Sequence, residues 1–278
     1  MSRIWQSPEA AINVAVDLLK QEGCVHPDAT FTPQETSPLR REIAYRDADL
    51  LARLGRKGTG ELVVDSALTW LAQQGYISPE SGYDKIAFEK FRALIRSQFN
   101  GSWTSVTPVM ERLIYALTSI RKPQNLIELG YFWGNTLAWF AGPAFGPYSS
   151  YTPKRIIGVE IDREIASQAK TNFSKIPNSA GVELIEGDAL AVVRGLQGPF
   201  DFLYIEAKSD DVPEMYLKLV QEAYDKLPKG AWVIAHDATC PALREDLRGY
   251  LAWVRDKSRF SESICFDVDA YGLELSIK

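Results

Sequence analysis

A chain of 278 residues, 46% hydrophobic and 24% charged, is long enough for an α/β core of ordinary size with an appended segment. Its formal charge of −5 argues against a polyanionic partner, because nucleic-acid enzymes carry a basic face that neutralises phosphate, and no apolar run approaches the ~20 residues of a membrane span. Three cysteines without paired or metal-type spacing (Cys24, Cys240, Cys265) and an N-terminus without the apolar core of a secretory leader lead to the expectation of a cytoplasmic protein with reduced thiols and a small-molecule partner.

The first hundred residues read as helices. Ser7-Pro8-Glu9 makes a cap and first turn, and helical patterns follow at about Leu39 to Leu54, Glu61 to Gln74 and Tyr83 to Phe99, separated by loops rich in Gly, Pro and Ser. Residues 1–100 are therefore expected to form a helical lid or dimerisation segment, with a homodimer as one outcome. The boundary is expected at Phe99-Asn100-Gly101-Ser102, and residues 101–278 form the second unit. That unit opens with a helix whose apolar positions Val109, Met110, Leu113, Ile114, Leu117 and Ile120 make one buried face.

The stretch Asn125 to Thr136, NLIELGYFWGNT, then predicts a buried strand, a glycine turn through Gly130 and Gly134, and a helix start near Asn135. Glycine lets backbone approach a ligand there, and free N–H groups of the helix start face it. A dinucleotide fingerprint needs G-x-G-x-x-G to wrap a pyrophosphate, whereas the pattern here is E-x-G-x-x-x-G. Alternating apolar runs and amphipathic segments continue to the C-terminus. Strands are expected at RIIGVEI with Glu160 near its end, at VELIEG before Asp188, at FDFLYIE ending in Glu206, and at AWVIA before His236-Asp237. The chain closes with SESICFDV and LELSIK joined by DAYG, which reads as a hairpin. The connection GPAFGPYSSYTPK lengthens the interval from Gly130 to Glu160 and is expected to be a loop near the ligand mouth.

The E-x-G-x-x-x-G turn, the acidic strand ends and the closing hairpin resemble the class I S-adenosylmethionine-dependent methyltransferases. More narrowly, LRGYLAWVRDKSRFSESICFDVDAYGLELSIK is similar to the end of the catechol-type O-methyltransferases and their bacterial relatives, and SWTSVTP resembles their methionine-side loop. The implied fold is α/β: a Rossmann-like seven-stranded sheet with a terminal antiparallel hairpin, behind a helical N-terminal segment. The resemblance implies Glu128, Gly130, Gly134 and Thr136 on the methionine side of the cofactor, Glu160 on its ribose and Asp188 on its adenine. Catechol-type relatives bind a divalent metal at two strand ends, which here read Glu206 and His236-Asp237, with Lys208 one place before the family's lysine position.

Two readings of that cluster stay open: a Mg²⁺-like cation held by Glu206, His236 and Asp237, or His236 acting as a general base without metal. Trp103 and Tyr131 are the candidate substrate contacts. The implied activity is O-methylation of a small metabolite. N-methylation, or cyclisation or cleavage of the cofactor's aminobutyrate arm, are the alternatives.

Overall fold

The computed structural model describes residues 3–6, 59–99, 106–145, 148–208, 212–240, 243–268 and 271–278. Its centre is one sheet built from β1 (Arg3–Gln6), β2 (Asn125–Leu129), β3 (Arg155–Glu160), β4 (Val182–Glu186), β5 (Phe202–Ile205), β6 (Trp232–His236), β7 (Glu262–Asp267) and β8 (Leu273–Ile277), in the order β1-β7-β8-β6-β5-β2-β3-β4. β4, β3, β2, β5 and β6 are parallel, and β8 is antiparallel to both β6 and β7. Strands β2 to β8 are the seven expected, with the terminal hairpin in place. The difference is β1: where no strand was expected, Arg3–Gln6 pairs in parallel with β7 and adds an eighth. Four residues are too few to show a period, and the open edge of β7 supplies the ladder that makes them a strand.

The central strands read as continuous apolar runs because helices cover both sheet faces. On one face lie α3 (Pro108–Arg121), α4 (Asn135–Ala141) and α5 (Arg163–Phe173), overlaid by α1 (Thr59–Gln73) and α2 (Lys85–Gln98). The other face carries α6 (Ala189–Gly195), α7 (Met215–Ala223) and α8 (Arg244–Val254). The helical patterns near residues 7–54 and the expected boundary at residues 100–102 fall mostly or wholly outside the described residues.

Helices α1 and α2 share a hydrophobic cluster with α3 and α4. Phe91 of α2 lies edge-on to Trp139 of α4 at 5.8 Å and fills the space over Gly142, where a Cβ would lie 2.5 Å from its ring. Charged residues also join these layers. Buried Arg112 of α3 stacks 4.4 Å from the Phe88 ring and pairs with Glu61 and Glu89, while Arg92 donates to the buried Glu111 at 3.1 Å.

The closing hairpin is tied to the helix before it by a second buried charge. Arg255, just past α8, grips the fully buried Glu274 of β8 through two bonds of 2.8 Å, and Ser263 of β7 donates to the same carboxylate at 2.7 Å. This arrangement explains why a Tyr-Leu-Ala-x-Val-Arg helix and the hairpin belong together. Arg255→Ala would leave Glu274 buried without its counter-ion, and is expected to cost about 3 kcal/mol of stability by the penalty for orphaning one member of a buried pair. Urea denaturation of the two proteins checks this, and a midpoint unchanged in Arg255→Ala would contradict it.

Candidate functional site

Each parallel strand delivers its chemistry from its carboxyl end. After β2 the chain turns at Gly130, whose φ of 88° belongs to the left-handed region, and where a Cβ would stand 2.7 Å from the carbonyl oxygen of Glu206. Any side chain there would force the ends of β2 and β5 apart. Gly134, with φ 83°, starts α4, and its missing side chain leaves room for the Phe173 ring. Between the two glycines Phe132 is held at φ 50°, a strained position for a non-glycine residue and one found preferentially at functional sites.

The Phe132 N–H shows what this strain achieves: it donates to Glu160 Oε2 at 2.9 Å, while the Asp162 N–H donates to Oε1 at 3.0 Å. Glu160 therefore has both oxygens fixed by backbone, and the capping of α5 is left to Asp162. Asp188 caps α6, accepting from the N–H groups of Leu190 and Ala191 at 3.2 and 3.3 Å.

These residues wall a cavity of about 880 Å³, a size suited to a nucleoside-sized ligand. Gly130, Thr136, Glu160 and Asp188 line it, and Glu206, Lys208 and Met215 close the other side. Exposed apolar Ile161 and Phe132 flank it, offering faces that a bound ring would cover.

Through Glu206 the cavity adjoins a second group. The ends of β5 and β6 bring Glu206, His236 and Asp237 together, with one donor atom from each within 4.8 Å of the others. His236 Nδ1 lies 3.1 Å from Glu206 Oε1 and 3.8 Å from Asp237 Oδ1. Asp237 adopts φ 65°, a left-handed conformation that Asp tolerates better than most residues. The ring of Tyr271, from the β7–β8 connection, is tilted against His236 at 5.7 Å. An imidazole and two carboxylates so arranged can bind a cation or relay a proton.

Among the residues singled out from sequence, Gly130, Thr136, Glu160, Asp188, Glu206 and Lys208 share the cavity wall, and Gly134 shapes the turn beneath it. Tyr131 also lines it but is buried, its ring lying against Gly158 and its hydroxyl without a partner among the described residues. Glu128 is absent from the wall and sits fully buried in the sheet below. Trp103 lies outside the described residues. Sequence reasoning passed over Tyr204, which donates a hydrogen bond to Glu206 Oε2. The only signal for it was the two-residue spacing that puts both on one face of β5.

A methyltransferase domain model matches residues 127–238. The O-methyltransferase ankF of Aspergillus thermomutatus is 27% identical over 148 residues, 50% of this chain and 56% of the relative. The catechol O-methyltransferase of Niastella koreensis is 26% identical over 118 residues, 40% of this chain and 50% of the relative. The chain thus spans about half the length of the curated relatives it matches. The fold is shared with the O-methyltransferase from Bacillus cereus in complex with S-adenosylhomocysteine, at TM-score 0.54 and 20% identity over 76% of this chain and 99% of that one. It is shared also with the S-adenosylhomocysteine-bound Podospora anserina methyltransferase PaMTH1, at TM-score 0.54 and 17% identity over 77% and 94%.

Glu128 carries a stability signature of its own. Burial, and secondarily the neighbouring Glu206, push its carboxyl well above the ordinary carboxylate range, and neither of its oxygens has a partner among the described residues. The folded chain therefore keeps a proton there that the unfolded chain has already released, so stability falls as pH rises above the unfolded value and toward the raised one. Glu128→Gln removes this proton linkage. Its urea-denaturation profile above the ordinary carboxylate range is expected to be flatter, by up to about 1.4 kcal/mol per pH unit. Parallel profiles for the two proteins would refute the assignment.

Proposed function

We propose that the chain is a class I S-adenosylmethionine-dependent methyltransferase, that its large cavity takes S-adenosylmethionine, and that Glu206, His236 and Asp237, with a divalent cation, present an acceptor oxygen of a small molecule for methylation. The observation that carries this reading is the convergence of three donor side chains within 4.8 Å at the ends of neighbouring strands, beside a cavity whose far wall holds Glu160. The cofactor supplies the methyl group on a sulfonium.

Glu160 would hold the ribose diol. Each of its oxygens already accepts one backbone N–H, so the carboxylate is preorganised and keeps a lone pair on each oxygen for a hydroxyl. Asp188 would face the adenine edge, and Gly130, Gly134 and Thr136 the methionine arm.

Two carboxylates and an imidazole this close favour a cation that relieves the repulsion between the carboxylates. The mixed N and O donors suit Mn²⁺ or Fe²⁺ at least as well as Mg²⁺. When bound, such a cation acidifies and orients a coordinated hydroxyl. Lys208, on the same wall, would add positive charge beside the acceptor oxygen. The acidic chain and the enclosed cavity favour a small uncharged or cationic acceptor over a nucleic acid. Among the described residues no helix is long and apolar enough to cross a membrane.

Titration calorimetry with S-adenosylhomocysteine is expected to show one site per chain, weakened in Glu160→Ala by roughly ten- to a hundredfold, the worth of charged hydrogen bonds to a diol. Saturable NAD binding without any response to S-adenosylhomocysteine would reject the cofactor assignment. With catechol as acceptor, chelator should abolish turnover and Mn²⁺ restore it, and Asp237→Ala should lose turnover while keeping cofactor affinity. Full activity in chelator would leave His236 as a base, and methylthioadenosine as the sole product would replace methyl transfer with chemistry on the aminobutyrate arm.

A further inference from the structure

Tyr204 stands two residues before Glu206 on β5 and shares its face of the sheet. It is fully buried, its ring packed 4.6 Å from that of Phe140 in the layer formed by α4. Directly across the ladder on β2 is Glu128, so the phenol has carboxyl groups both beside it and ahead of it. It donates to the one ahead, Glu206 Oε2. The other oxygen of that carboxylate, Oε1, meets His236 Nδ1 at 3.1 Å.

This bond answers a specific need. The last torsion of a glutamate is broad and nearly two-fold, so nothing intrinsic to the side chain fixes the plane of its carboxylate. Glu206 leaves the end of a strand and is only partly buried, which gives it room to turn. A phenylalanine would fill the same space against Phe140, and a hydroxyl buried there is tolerable only if it makes its hydrogen bond. The bond runs from the rigid core outward to a side chain at the edge of the cavity.

We propose that Tyr204 is a positioning residue of the reaction centre: its phenol locks the Glu206 carboxylate so that Oε1 is presented to His236 and the three donors stay convergent. Its functional meaning rests on reading Glu206, His236 and Asp237 as that centre.

The test is Tyr204→Phe, which keeps the ring and removes only the donor. The chain has two histidines, His26 and His236, so imidazole ¹⁵N spectra are assignable with a His26→Gln control. In the unaltered protein His236 is expected in a single tautomer with Nδ1 protonated, donating to Glu206. In Tyr204→Phe its two nitrogen signals should move toward each other as the tautomers mix. Mn²⁺ affinity measured by titration calorimetry should fall about tenfold, while affinity for S-adenosylhomocysteine stays within about twofold, since Glu160 is untouched. Imidazole signals that coincide in the two proteins, or a Tyr204→Phe chain that does not fold, would overturn the positioning role. Failure of the unaltered protein to bind Mn²⁺ would instead overturn the cation reading of the preceding subsection, and the ¹⁵N spectra would still decide on Tyr204.

Discussion

A parallel ladder holds β3, β2, β5 and β6 at one level, with Leu129 opposite both Val159 and Ile205, and Ile205 opposite Ala235. The residues that follow these positions, Gly130, Glu160, Glu206 and His236, therefore leave the sheet along one edge, about 4.8 Å apart from strand to strand. Everything chemical in the molecule depends on that spacing. Gly130 shows how little slack exists, because its backbone packs against the carbonyl of Glu206 where no side chain fits. The same close approach thus fixes the distance from the glycine turn to the donor cluster.

Four glutamates illustrate how local partners decide the state of one side-chain type. Glu274 is buried and held by Arg255 and Ser263, so its charge is matched. Glu160 meets two backbone N–H groups, which aim its two oxygens. Glu206 sits between a phenol and an imidazole, open to the cavity on its remaining side. Glu128 has no partner among the described residues, and the cheapest response to burial is to keep its proton. A proton on Glu128 relieves the repulsion that the neighbouring Glu206 would otherwise exert on it.

The strand-turn-helix of residues 125–136, the acidic strand ends and the closing hairpin were legible because each has a short period or a glycine requirement that survives in one dimension. Other features were not legible. Arg3–Gln6 becomes a strand only because β7 offers an edge. Glu128 reads as a ligand contact from its place in E-x-G, yet alternation alone cannot say whether a side chain on the right face reaches the cavity or stops in the core. Tyr131 lines the cavity, but that its ring also packs over Gly158 is not legible from a tyrosine beside a strand end. Tyr204 is hidden by its neighbours in FDFLYIE, where a tyrosine reads as one more apolar residue until the hydroxyl's partner is located.

Helix α4 raises a separate question of support. Seven residues make less than two full turns, too short to be stable alone, and its first residues carry Thr136 and follow the strained turn at Phe132. Its position is therefore set by what packs on it. From below, Phe140 meets Phe202 and Tyr204 of β5. From above, Trp139 meets Phe88 and Phe91 of α2, and Gly142 admits the Phe91 ring against its backbone. The helix that follows the glycine turn is thus clamped between the strand that carries Tyr204 and a layer contributed by residues far earlier in the chain. That layer is itself tied to α3 by Arg92, Arg112 and Glu111, whose buried charges are costly to separate. Helix α2 thus packs on α4, and its contact at Trp139 bears on the geometry around Gly134 and Thr136.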